Sequence, residues 1–238
     1  MNQTVILQLN DYAHSRAILF SHIEHQYAYE LYRSADQTFG ILFTTFDYHY
    51  CFGAVPNDPS EFEQAVLDYH LKHKRSELIL FGPTPAWEAF LTTFVTKKQG
   101  AIDPRNQYKL NHDVFREFDP FNDKIVLEYL SEPASKIPLV QATVYLHNEK
   151  IGFAKALMTG HKLAEIEVWT DKQHRQQGFG FDSSLVLIKH LLDHNINPVW
   201  SCWKAKTISN NLALKLGFEL EYTFPAFIWI PEKNITSR

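Results

Sequence analysis

A chain of 238 residues, 45% hydrophobic and 21% charged, has the composition of a globular protein and enough length for one large domain or two ordinary ones. Its net charge of -4 argues against a nucleic-acid binder, which normally carries a basic excess, and no run approaches the ~18 apolar residues of a membrane helix. Cys51 and Cys202, the two cysteines, read as small buried hydrophobes in a reducing compartment, and the N-terminus lacks a basic, apolar leader, so the expected location is the cytoplasm.

In chain order, residues 10–32 have the spacing of a helix, with Ala17, Phe20, Ile23, Tyr27 and Leu31 at steps of three and four. Two strand-like pieces, 38–46 and 48–55, meet at Asp47. The aromatic stretch FTTFDYHYCF within them suits either a pocket lining or the interior of a two-stranded ribbon, and the ribbon is the better fit. A helix follows Pro59, where Ser60 and Glu63 have the spacing of a capping box and Phe62, Val66, Tyr69 and His73 share a face. A short buried strand, 77–82, leads to a helix over 83–100 with Trp87, Phe90, Leu91, Phe94 and Val95 inward. Residues 101–124 are polar and broken by Pro104 and Pro120, so they read as a strand around Tyr108 and then an irregular crossing. The lobe boundary is placed there, dividing the chain into an N-terminal α/β lobe, 1–115, and a second domain, 116–238.

Residues 125–132 read as a short helix. Strands at 138–147 and 151–158 flank the turn Asn148-Glu149-Lys150 as an antiparallel hairpin, and a third strand covers 162–170. Next comes the loop HRQQGFG, then a helix over 181–195 with Phe181, Leu185, Ile188 and Leu192 in one stripe. A strand at 198–203 and a helix at 207–218 follow, the latter with Ile208, Leu212 and Leu216 inward and Gly217 placed as its C-terminal cap. The strand-like run 219–230 is interrupted at Pro225, and the polar C-terminus is expected to fray.

The loop is the most informative feature. Arg175-x-x-Gly178-x-Gly180 stands between a strand and a helix. A helix start presents unpaired amides and the positive end of a dipole, so it attracts phosphate, and glycines let the backbone approach the ligand. The same residues also suit a plain tight turn. No Gly-Lys-Ser/Thr follows, so this is not a Walker loop, and a meander of hairpin strands precedes it, unlike a dinucleotide fingerprint. The helix-spaced histidine pairs, His22/His25, His70/His73 and His190/His194, lack a neighbouring HExxH glutamate or a cysteine cluster, so no metal site is expected. There is no Gly-x-Ser-x-Gly elbow either.

The order hairpin, strand Glu165-Ile166-Glu167-Val168-x-Thr170, Arg-x-x-Gly-x-Gly, helix, Pro198-x-Trp200, and a helix from Ser209 to Lys215-Leu216-Gly217-Phe218 resembles the GNAT superfamily of acyl-CoA-dependent N-acyltransferases. It is most similar to the two-lobed bacterial group of GNAT acetyltransferase-like proteins, and the strong part of the likeness spans about 138–222. The resemblance implies an α+β fold with a mixed central sheet flanked by helices, the N-terminal lobe being a degenerate copy. It implies acetyl-CoA as acyl donor, its pyrophosphate held by Arg175, Gln176, Gln177, Gly178, Phe179, Gly180 and Phe181. Main-chain bonds to the pantetheine arm are implied at Val168, Trp169 and Thr170, and Ser209 near the coenzyme. Glu165 and Glu167 stand where such enzymes carry the base for an amine, and as alternating strand residues they equally suit solvent exposure or cross-strand ion pairs. The tyrosine that protonates the leaving thiolate in many relatives is replaced by Ala213, leaving Tyr222, a water or no dedicated acid for that task. The readings that follow are an N-acetyltransferase acting on an amine, small and cationic by the weak argument of net charge, or a non-catalytic acyl-CoA-binding module.

Overall fold

The computed structural model describes residues 3–115 and 125–231. In chain order these form α1 (Gln3–Leu9), α2 (Arg16–Ile23), β1 (Tyr29–Arg33), β2 (Phe39–Thr44), β3 (Tyr48–Gly53), α3 (Pro59–His73), β4 (Leu78–Phe81), α4 (Pro85–Lys97) and β5 (Ala101–Leu110). Then follow α5 (His112–Phe115), β6 (Ile125–Leu130), β7 (Leu139–Leu146), β8 (Glu149–Gly160), β9 (Leu163–Thr170), α6 (Phe179–Asp193), β10 (Asn197–Trp203), α7 (Thr207–Lys215) and β11 (Phe218–Trp229). The described residues divide into two compact units, one of 3–13, 27–105 and 224–231, the other of 14–26, 106–115 and 125–223.

The first unit carries the strand order β1-β2-β3-β4-β11. β1, β2 and β3 pair antiparallel. β3 and β4 pair parallel, Tyr48 with Ile79 and Tyr50 with Phe81, because α3 returns the chain between them. Every residue of β2 is buried. The core beside it is aromatic: Phe62 meets Phe94 at 5.2 Å between ring centroids, and Phe94 meets Trp229 at 5.3 Å, both edge to face. The capping residue of α3 is Asp58, not Ser60: its carboxylate accepts the Ser60 N–H at 2.9 Å, and Pro59 takes the first helical position, where a missing N–H costs nothing.

The second unit is a meander, β6-β7-β8-β9, antiparallel throughout. It continues into β10, parallel to β9, and then β5. α6 packs against β7, β8 and β9, setting Leu185, Ile188 and Leu191 against Ala154, Ala156, Ala164 and Ile166. Each of those large side chains contributes about 1.5–3 kcal/mol by leaving water. α2 also packs on β8 and β9. Two stretches of the chain repeat one element order, an antiparallel pair and then helix, parallel strand, helix, strand: β2-β3-α3-β4-α4-β5 and β8-β9-α6-β10-α7-β11. The degenerate copy expected of the N-terminal half is of this kind.

Several sequence expectations differ from this fold. The span 10–32 is not one helix. α2 is bounded by Ser15 at φ 56° and by His25 at φ 67°, left-handed positions that stop a helix, and 29–33 is strand. Residues 125–130 form β6 rather than a helix, since all six pair antiparallel with β7, and Glu128 accepts side-chain hydrogen bonds from Thr143 and Tyr145 of that strand. The hairpin turn is His147-Asn148, both at positive φ, one residue earlier than expected. β11 runs through Pro225, whose missing N–H precedes the pairing of Phe227–Trp229 with β4. The partition also differs from a cut at residue 115. Residues 14–26 join the second unit because α2 packs on β8, and residues from Phe224 join the first because they pair with β4. Part of the irregular crossing expected up to residue 124, and the C-terminal fraying, fall outside the described residues.

Candidate active site

The loop after β9 is organised by short-range polar contacts. Asp171 caps a single 3-10 turn, Lys172–His174, accepting the Gln173 N–H at 2.9 Å. That backbone bond first, then the nearby His174, holds the Asp171 carboxyl below its usual range. Arg175 is extended and its Nε donates to the Thr170 carbonyl at 3.1 Å, so the guanidinium is moored at the end of β9. Gln176, at φ 62°, then turns the chain into the helix start.

α6 begins at Phe179, two residues ahead of the sequence expectation, and Gly178 is its N-cap at φ 89°, ψ -13°. A side chain is strained at such an angle, and a Cβ built on Gly178 meets no atom within 4 Å. The first helical bond runs from the Asp182 N–H to the Gly178 carbonyl at 3.0 Å. The amides of Phe179 and Gly180 therefore precede any acceptor within the helix. They lie at the end that carries roughly +0.5 elementary charge. Gly180 allows a close approach: a Cβ there would stand 3.3 Å from Thr170 Oγ1, 3.4 Å from Val168 Cγ1 and 3.8 Å from a Leu212 methyl. The corresponding helix of the first unit, α3, differs, since a carboxylate caps it and a proline opens it.

β9 and β10 pair over only three register positions, ending with Val199 opposite Glu165. On the other side of β9, the register against β8 shifts between Ala156 and Met158, opposite Ile166 and Glu165. A bulge of this kind bends its strand and increases local twist. Glu165 is 8% exposed, and its Oε1 accepts from the Ser201 N–H at 2.8 Å and the Ser201 hydroxyl at 2.5 Å. Glu167 is exposed and pairs with Lys155 Nζ at 3.0 Å across the β8–β9 ladder, a cross-strand ion pair of the sort the alternating pattern allows. Lys155 also meets Glu132 at 3.0 Å. Burial pushes the Lys155 ammonium down, but the two carboxylates outweigh it and leave its pKa raised. Trp169 is exposed on one side and stacks on Phe153, centroids 5.8 Å apart.

On α7 the Ser209 hydroxyl accepts from Trp200 Nε1 at 3.1 Å, which links that helix to β10. Ala213 is fully buried in the core. Ile208, expected to face inward with Leu212 and Leu216, is 83% exposed, because it lies in the first turn of α7 beyond the packed face. Tyr222 is exposed on β11. Sequence reasoning missed Asn210. Its Oδ1 accepts from the Tyr108 hydroxyl at 2.5 Å and Asn106 Nδ2 at 2.8 Å, while its own Nδ2 donates to the Lys206 carbonyl at 2.8 Å. The available signal was an asparagine four residues into a helix, a place where this side chain can bond back to the preceding turn. Ser201 was missed as well, since a serine in a strand carries no signal of its own. Among the described residues no cluster of three or more His, Cys, Asp or Glu could hold a metal ion.

Residues 142–227 match the GNAT acetyltransferase family model. A curated relative, the uncharacterized N-acetyltransferase YdfB of Bacillus subtilis (strain 168), is 25% identical over 118 residues, which is 48% of this chain and 45% of that protein. The chain thus matches less than half the length of that relative. Among solved structures, a GCN5-related N-acetyltransferase-like protein from Streptococcus suis 89/1591 superposes with a TM-score of 0.67 at 15% identity, covering 95% of this chain and 97% of that one. A tandem GNAT protein from the clavulanic acid biosynthesis pathway superposes at 0.54 with 12% identity, covering 90% and 86%. The chain has the GNAT fold, and the likeness in sequence to the GNAT acetyltransferase family lies in its segment 142–227.

Proposed function

We propose that this chain is an N-acetyltransferase that moves an acetyl group from acetyl-CoA to an amine. One observation carries the reading. The start of α6 is uncapped by any side chain, opened by a glycine at positive φ with free space around it, and flanked by Arg175. A diphosphate is the ligand such an end suits. In this reading Arg175, Gln176, Gln177, Gly178, Phe179, Gly180 and Phe181 hold the pyrophosphate. The main chain of Val168, Trp169 and Thr170 binds the pantetheine arm where β9 leaves β10, and Ser209 lies close to the coenzyme.

The acceptor nitrogen attacks the thioester carbonyl carbon. The C–S bond breaks, coenzyme A leaves as a thiolate, and the nitrogen loses a proton to a carboxylate or to water. Main-chain donors near Val168 and Trp169 would polarise the carbonyl as negative charge develops on its oxygen. Glu167, exposed beside Lys155, is the carboxylate that an ammonium could reach. The acidic net charge supports a small cationic amine as acceptor. The two buried free cysteines support a reducing compartment such as the cytoplasm, and among the described residues no helix is long and apolar enough to cross a membrane.

The buried Ala213, at the position where the resemblance leads one to expect an acidic tyrosine, favours a second reading, an acyl-CoA-binding module without turnover. Thiol release from acetyl-CoA with a panel of amines separates the two. Amine-dependent release supports the transferase. Micromolar coenzyme binding with no release from any amine supports the module, and no binding at all removes both.

A further inference from the structure

Glu165 and Glu167 both occupy places suited to a general base, yet their surroundings assign them different tasks. Glu165 stands at the last register pair between β9 and β10. Two residues further along β10, Ser201 gives Glu165 both its backbone N–H and its hydroxyl, at 2.8 and 2.5 Å, and both go to the same carboxylate oxygen. A side chain thus supplies an acceptor just past the point where the register pairing stops. The register shift in β8 falls opposite the same step of β9, so the strand is bent from its other neighbour at this point as well. A proton taken from an amine at Oε1 would cost one of the two bonds that hold β10, and one taken at Oε2 would remove the charge that strengthens both. Glu167 lies exposed, with its partner Lys155 on the neighbouring strand, and taking a proton there would break no contact with β10.

We propose that Glu165 is a positioning residue: its carboxylate clamps Ser201, fixes where β9 and β10 part, and so sets the width of the slot into which the thioester arm would fit. The proposal rests on the acyl-CoA reading for its consequence, but the clamp itself can be tested without it. Glutamine keeps an oxygen that can accept both Ser201 bonds and cannot act as a base, whereas alanine removes the acceptor.

Three measurements on Glu165→Gln and Glu165→Ala decide the matter. They are coenzyme A affinity by calorimetry, the pH–rate profile of amine-dependent thiol release, and hydrogen exchange of the Ser201 amide by NMR. In Glu165→Ala the affinity is expected to fall about tenfold or more and the Ser201 amide to exchange about tenfold faster, the scale of losing a hydrogen bond to a charged acceptor. Glutamine is expected to rescue both to within about threefold, since a neutral acceptor is weaker than a charged one by about that much, and to leave the shape of the pH–rate profile intact. Should Glu165→Ala not fold, Ser201→Ala removes the hydroxyl bond alone, and a smaller loss of affinity in the same direction is expected.

The proposal is overturned if Glu165→Gln binds coenzyme normally but loses turnover together with a limb of the pH profile, for then Glu165 is the base. Native Ser201 protection in Glu165→Ala overturns it too, because the clamp would then hold nothing. A native chain that binds coenzyme but acetylates no amine ends the transferase reading and leaves the affinity and exchange arms to judge the clamp. One that binds no coenzyme ends the slot argument, and the exchange arm alone still tells whether Glu165 holds β10.

Discussion

Replacing Gly178 with alanine isolates the proposed diphosphate site from ordinary effects on stability. In the free protein the new methyl group meets no atom within 4 Å, so its whole cost is backbone strain at φ 89°. That strain is about 1–2 kcal/mol for an L-residue held in the left-handed region. For a chain of this size it corresponds to a melting temperature lower by about 2–8 °C. Gly217 is a matched control in the same unit: its φ is 86°, and an added Cβ would lie 3.1 Å from a Val114 methyl. Gly217→Ala should therefore lose as much stability or slightly more. The two variants separate once coenzyme is added. At position 178 the methyl would occupy the space through which a diphosphate reaches the amides of α6, forfeiting a charge-assisted hydrogen bond worth about 1.5–3 kcal/mol. Affinity for coenzyme A, read by calorimetry, should fall by about tenfold to 150-fold in Gly178→Ala and stay within about twofold in Gly217→Ala. Equal affinities in the two variants, at equal loss of melting temperature, would refute the idea that Gly178 borders the ligand.

Arg175→Ala should weaken coenzyme A binding about tenfold, and raising the salt should weaken the variant less than the native chain, because one full charge beside the phosphates is gone; an unchanged salt dependence in titrations would count against a role for the guanidinium. His22, buried in α2, has its pKa lowered from 6.5 to about 4, by burial above all and against the opposing bond to the Ile18 carbonyl. The unfolded chain therefore takes up a proton as pH falls below 6.5 while the folded chain does not, and stability drops through that window, by about 3 kcal/mol at pH 4. Denaturant titrations of His22→Gln against the native chain should show the slope between pH 6.5 and 4 flattening in the variant; parallel slopes would contradict the assignment. Lys155 has a raised pKa in the fold, so what its charge contributes is present below the ordinary lysine range and lost as pH climbs through the folded value. The stability gap between the native chain and Lys155→Met should accordingly be constant near neutral pH and close in strong alkali, by thermal melts; a gap that widens there would reverse the sign of the argument.

The sequence was most legible where local rules decide structure. The glycines around Phe179, the strand before them and the Gly-Phe end of α7 pointed to one fold, and the loop lies between β9 and α6 as they implied. Legibility failed where a distant partner decides. The run Ile125–Leu130 has no clean alternation, and it is strand because β7 pairs with it along its whole length. The apolar spacing across 10–32 continues through two breaks because Ser15 and His25, neither of them glycine, take left-handed angles. Periodicity showed that α2 buries a face but not that the face belongs to β8, so the partition of the chain could not be read from it. At the site, spacing put both glutamates on one strand. Their difference lies in Ser201 on one side and Lys155 on the other, contacts made by strands that only the fold brings to them.

The central claim is that the start of α6 holds the diphosphate of coenzyme A. The most direct test is a crystal structure of the full chain grown with excess coenzyme. The account predicts phosphate oxygens within about 3 Å of the backbone nitrogens of 178–181, with the pantetheine arm running between β9 and β10. Coenzyme bound elsewhere on the chain, with those nitrogens turned to protein acceptors, would contradict it.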